Sequence, residues 1–130
     1  MLFRSLNDQF KADDLVTGIL NYQVYLNRNA IAEKKINKDL IYTTVINYLL
    51  TDTSVDRAFA LDAINQTTLN ATIKDALING YYPSRSGDIQ IILRPQWIDG
   101  FLKGGTTHGV WNPYDAHIPL LWYGWGNSHL

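Results

Sequence analysis

The spacing of apolar residues changes several times along the first part of the chain, and each change marks a new element. Leu2, Leu6 and Phe10 recur at helical spacing, which predicts a short helix from Ser5 to Lys11. Leu15 to Asn27 follows, with Gly18 and Asn21 in a bend, and there Tyr22, Val24 and Leu26 alternate with polar Gln23 and Asn27. That alternation predicts a strand with one solvated face. Asn37 or Asp39 can cap a helix whose apolar positions are Leu40, Ile41, Val45, Ile46, Leu49 and Leu50. A second strand is expected from Asp56 to Ile64. Thr68 or Asn70 then opens another helix, with Leu69, Ile73, Ala76 and Leu77 on one face and Gly80 at its end. The sum is an α+β module over residues 1–82, expected to be a ferredoxin-like sandwich with helices packed on a sheet.

From Pro83 onward the character changes to a segment, 83–130, rich in glycine, proline and aromatics. Asp88 to Leu93 is a strong strand, ended by Pro95. After a glycine-rich loop, Ile118 to Trp125 is a nearly continuous apolar run. Such a run suits a strand buried on both faces, as in the core sheet of an α/β enzyme. Little chain remains after it to cover such a strand. The chain is therefore expected to be cut from something larger, and the segment 118–125 is expected to seek partners, by self-association if nothing else is present.

Composition narrows the function classes. Apolar residues make up 46% and charged residues 18%, as in a globular protein. A formal charge of −1 gives no general attraction to polymeric nucleic acid or to an anionic membrane. No apolar run is long enough to span a bilayer. With no cysteine, disulfides and thiolate metal sites are excluded, and the compartment stays unassigned.

Few residues are placed to do chemistry. His108 sits in Gly104-Gly105-Thr106-Thr107-His108-Gly109, where glycines permit a tight turn and close approach of an ion; neutral imidazole suits a metal. A solvated or capping loop histidine fits the same residues. His117 fits a ring bonded to Asp115 or a loop carbonyl, and His129 lies near the end of the chain. Asp115 is either a partner that orients a ring or a turn residue. Arg85 and Arg94 could meet phosphate, but Arg85 is equally placed to pair with Asp88 or tie down its turn. Thr106 and Thr107 have no adjacent base that would make either a nucleophile, and no phosphate loop, dinucleotide fingerprint or paired catalytic carboxylates are present. Trp97, Trp111, Trp122 and Trp125 suit packing better than base or sugar stacking.

Three strings together carry a resemblance: Asn79 to Asp88 with its Arg85-Ser86-Gly87-Asp88 turn, Gly105-Thr106-Thr107-His108-Gly109, and Tyr114-Asp115-Ala116-His117-Ile118-Pro119-Leu120 running into Trp122-Tyr123-Gly124-Trp125-Gly126. In this order and spacing they resemble the C-terminal segment of phosphate-irrepressible alkaline phosphatases. Those enzymes belong to the nucleotide pyrophosphatase/phosphodiesterase branch of the alkaline phosphatase superfamily. Gln23 to Asn27 and the flanking helices extend the likeness over nearly the whole chain.

The resemblance implies an α/β hydrolase that holds two zinc ions and attacks a phosphate ester with a Thr or Ser nucleophile. Such enzymes are periplasmic or secreted. It implies that His108 is a metal ligand, with Thr107 and Asp115 as support for it or its loop. No catalytic nucleophile or phosphate-clamping residue maps onto this chain, so the isolated chain is expected to be inactive and to hold no zinc tightly. The alternatives are a non-catalytic binding or assembly module, and a metal-free carbohydrate or nucleotide binder using Trp97 and Trp111.

Overall fold

The computed structural model describes residues 2–97, 109–112, 115, 119, 121 and 123, with side chains from residue 6 onward. Four helices, α1 (Leu2–Phe10), α2 (Arg28–Glu33), α3 (Lys38–Leu49) and α4 (Ala71–Gly80), accompany four strands, β1 (Val16–Leu20), β2 (Gln23–Leu26), β3 (Val55–Ala60) and β4 (Ile89–Leu93). This is the α+β class expected from the sequence. The strands form one sheet in the order β1-β2-β4-β3, with every neighbouring pair antiparallel. Because β4 runs against both β2 and β3, those two are parallel, and β4 is inserted between them in a split β-α-β arrangement.

β4 is thus a central strand of the sheet, although the sequence placed it beyond the boundary at 82/83. Its residues explain the position. Ile89, Gln90, Ile91 and Ile92 are all buried, which only a strand with neighbours and cover on both faces achieves. Ile89 and Ile91 point to one side with Val24, Leu26 and Val55. There they meet Leu6 of α1 and Ile41, Val45 and Leu49 of α3. Ile92 points to the other side and joins Phe59, Leu61, Ile64 and Leu77, with Ile73 and Trp111 packed against them.

Local chemistry sets the element boundaries. Asn27, Asn37 and Asn70 each accept a backbone N–H from the first turn of α2, α3 and α4, at 3.1, 3.1 and 2.9 Å. Of the alternative caps read from the sequence, Asn37 and Asn70 are therefore the ones used. The bend expected near Asn21 is a hairpin turn. Asn21 and Tyr22 both have positive φ, 50° and 59°, the hand that matches the twist of the paired strands.

Three elements differ from the sequence pattern. β1 was not expected as a separate strand, because the pairing slips between Val16 and Gly18 and the apolar Ile19 and Leu20 are exposed. α2 is only six residues long and buries Ile31 alone, too little for a periodic signal. The second strand ends at Ala60 rather than Ile64; Leu61–Gln66 is a 3-10 turn that buries Leu61 and Ile64, three apart on one side. Of the apolar run 118–125, the structure describes Pro119, Leu121 and Tyr123, all exposed, and the rest of the expected strand lies outside the described residues.

The turn before β4 presses against β2. A Cβ on Gly87 would lie 2.7 Å from the Cβ of Gln23 and 2.9 Å from the carbonyl oxygen of Val24. Gly87→Ala is expected to destabilise the chain by about 1–3 kcal/mol through this overpacking, read as a lower denaturant midpoint in urea unfolding. An unchanged midpoint would contradict the close approach.

Candidate functional site

The loop Tyr81–Gly87 leads into β4 and is organised by one carboxylate. Asp88 is 6% exposed. Its Oδ2 accepts the backbone N–H of Leu26 at 2.8 Å, and its Oδ1 accepts Arg28 Nε at 2.9 Å and the Tyr42 hydroxyl at 3.1 Å. Arg28 also donates to the carbonyl oxygens of Pro83 at 2.7 Å and Ser86 at 3.3 Å. One buried anion therefore joins β2, the first residue of α2, the second turn of α3 and the loop before β4. The Asp88 backbone adds to this by donating to Val24 at 2.8 Å and accepting from Leu61 at 2.9 Å.

The partner of Asp88 is thus Arg28 and not Arg85. The Arg85 guanidinium lies over the Tyr82 ring, 4.7 Å from its centre. Its backbone N–H and that of Ser86 both reach the Tyr82 carbonyl oxygen, which closes a tight turn. Arg94, the other arginine weighed for phosphate, prolongs the β3–β4 pairing by donating its N–H to the Ser54 carbonyl oxygen at 2.8 Å.

The electrostatics follow from this geometry. Burial, reinforced by the Asp88 charge, pushes the Tyr42 hydroxyl up to about 12. The hydrogen bond to Asp88 raises the Arg28 guanidinium above its ordinary value. Nearby, Lys38 is raised by its hydrogen bond to Asp62, and its ammonium lies over the Tyr42 ring at 4.8 Å from the centre.

A second polar arrangement follows the position of His108. Asp115 Oδ2 accepts the backbone N–H groups of Gly109 and Val110, both at 2.8 Å. Gly109 has φ of +109°, a conformation that favours glycine. Val110 is buried, and Trp111 packs against the cluster of Phe59 and Ile92 on the face of the sheet away from α3. The residues directly after His108 are thereby tied to Asp115 and to the sheet. His108 and Thr107 themselves lie outside the described residues, as do Asp99, Thr106, His117, Trp122, Trp125 and His129.

Arg28 and Tyr42 were not singled out in the sequence. Their partner is 60 and 46 positions away, and no local pattern signals it. Among the described residues no group of three or more His, Asp or Glu side chains could hold a metal ion. Nor is any helix among them long and apolar enough to cross a membrane.

Comparison with known proteins gives a family. No protein-family model matches the chain. It is nevertheless 42% identical over 121 residues to alkaline phosphatase PafA of Elizabethkingia meningoseptica, covering 93% of this chain and 22% of that protein. Alkaline phosphatase PhoV of Synechococcus elongatus is 42% identical over 108 residues, 83% of this chain and 20% of its own length. A protein named calcium-transporting ATPase from Myroides odoratus is 39% identical over 126 residues, 96% of this chain and 23% of that one. Together with the fold, these matches place the chain in the alkaline phosphatase superfamily. Among solved structures, wild-type alkaline phosphatase PafA superposes with a TM-score of 0.82 at 38% identity over 89% of this chain and 22% of that one. The chain spans 20% to 23% of the length of the curated relatives it matches.

The raised tyrosine gives a pH dependence. Its folded value, about 12, lies above the ordinary 10.0, so folding favours the protonated hydroxyl. The resulting stability is fully present below pH 10 and is lost as pH rises from 10 towards 12. Tyr42→Phe is expected to cost about 1–2 kcal/mol at neutral pH and to flatten this alkaline loss, measured by denaturant unfolding as a function of pH. An alkaline slope equal to that of the unaltered chain would count against the Tyr42–Asp88 bond.

Proposed function

We propose that this chain is one segment of a metal-dependent phosphohydrolase acting on phosphate esters, with the nucleophile and the other metal ligands supplied by polypeptide outside residues 1–130. The observation that carries this reading is the 42% identity to an alkaline phosphatase over 93% of the chain, with a backbone match of 0.82 in TM-score to the same enzyme. Zinc is the metal the family resemblance suggests, and a periplasmic or secreted location goes with the same reading.

The described residues do not by themselves fit a metal ion, since no cluster of ligating side chains is found among them. In this reading the chain's contribution is one imidazole, His108, with the chain after it held by Asp115 and Trp111. Asp115 Oδ2 is committed to two backbone N–H groups, so the carboxylate acts on the loop and is not assigned as a ligand. A bound pair of zinc ions would polarise the phosphoryl oxygens and stabilise the attacking and leaving oxygens. The work of Gly109, Val110, Trp111 and Asp115 is geometric: they hold the chain that follows His108, and a displacement of about 1 Å in a reacting group is enough to lower a rate severely.

The test compares two proteins. The 130-residue chain alone is expected to hold no stoichiometric zinc and to hydrolyse no phosphomonoester. In a longer protein carrying this segment, His108→Ala is expected to lower phosphatase turnover by more than about 100-fold and to reduce bound zinc, with unchanged circular dichroism. Turnover and zinc content close to those of the unaltered protein would remove His108 from the site.

A further inference from the structure

A cavity of about 640 Å³ opens beside the Asp88 network, between the β2–α2 junction, the α2–α3 turn and the Tyr81–Gly87 loop. Small organic ligands occupy cavities of roughly 300–1,000 Å³, so the space is of ligand size. Leu26, Ile31 and Ile36 give it aliphatic walls, and Tyr42 and Tyr81 add aromatic ones.

Its charges do not cancel. Three cations, Arg28, Lys35 and Lys38, and two carboxylates, Asp62 and Asp88, line it. Both carboxylates are already engaged, Asp88 by Arg28 and Asp62 by Lys38. Lys35 is left as the surplus cation, and its ammonium has no hydrogen-bonding or ionic partner among the described residues.

The backbone of Lys35 is an independent observation. α2 ends with the Ile36 N–H bonded to the Ile31 carbonyl oxygen at 3.0 Å and the Lys35 N–H bonded to that of Ala32 at 3.1 Å. This helix-ending arrangement places its central residue in the left-handed region, and Lys35 has φ of +51°. Glycine meets that conformation without strain, whereas a lysine is held there against its preference. The sequence keeps lysine at this left-handed position, and Lys35 is among the residues that line the cavity.

The geometry points to a binding site for a small organic monoanion with a flat aromatic body, its acid group against Lys35 and its ring against the aliphatic and tyrosine walls. A neutral ring would gain nothing from Lys35, whose exposed ammonium would stay in water. A bare inorganic anion would leave the apolar walls wet, and a dianion would bring one charge more than the cavity compensates. The site does not depend on the phosphohydrolase reading, because none of its residues lies in the loop after His108.

The test is a titration of the isotopically labelled 130-residue chain with 2-naphthoate, followed by amide chemical shifts. 2-Naphthalenemethanol serves as the neutral ring and acetate as the anion without a body. Saturable shifts at Lys35, Ile36 and Tyr81 are expected with naphthoate, with the two comparators weaker by about tenfold or more, the scale of one charged contact. Lys35→Gly and Lys35→Gln are both expected to weaken naphthoate by about tenfold or more, and Lys35→Gly to melt no lower than the unaltered chain because the left-handed residue is relieved. Lys35→Gln keeps a long side chain and so separates loss of charge from the change of backbone. The proposal is overturned if naphthoate gives no saturable shift, shifts other regions, binds both variants as well as the unaltered chain, or binds no better than the alcohol.

Discussion

The Asp88 carboxylate is the point at which four parts of the chain distant in sequence are made to agree. A buried carboxylate carries a large desolvation cost unless its lone pairs are filled, and three donors from β2, α2 and α3 fill them here. The pair with Arg28 is asymmetric. The Asp88 side chain is 5% exposed, whereas that of Arg28 is 51% exposed and keeps part of its hydration. The network stabilises the fold by satisfying one buried anion rather than by burying two charges. Arg28 uses its remaining donors on the carbonyl oxygens of Pro83 and Ser86, which fixes the turn that delivers β4 into the middle of the sheet.

That placement of β4 connects the hub to the region of interest. β4 separates two apolar clusters, and Ile92 on its far side belongs to the cluster against which Trp111 packs. The segment after His108 therefore rests on the sheet that Asp88 helps to assemble. Buried Gln90 strengthens this strand by donating to the carbonyl oxygens of Tyr22 and Ile91, so no polar side chain among the described residues is buried without a partner. In the function proposed above, this scaffold would hold the chain that follows His108 in place.

The sequence made legible what is local. The periodicity of Ile41, Val45 and Leu49 marked α3, the alternation of Val24 and Leu26 marked β2, and asparagine caps marked the starts of α3 and α4. What stayed hidden depends on distant partners or weak periods. β1 is broken by its slip near Gly18, α2 buries a single residue, and nothing near Asp88 announces Arg28. Of the two readings left open for Arg85, the turn is the one seen, and Asp88 pairs instead with Arg28, whose approach is set by the β2–β4 pairing. His108 differs in kind, since its residues alone leave ligand and solvated loop open, and only the family likeness favours the ligand.

The most direct test of the central interaction is a double-mutant cycle on Arg28→Ala and Asp88→Asn, with unfolding free energies measured in urea for the four proteins. A coupling of about 1–3 kcal/mol between the two positions is expected of contacting residues that share one network. Additivity of the two substitutions to within about 0.3 kcal/mol would contradict the account, because the carboxylate would then hold its surroundings together without the guanidinium.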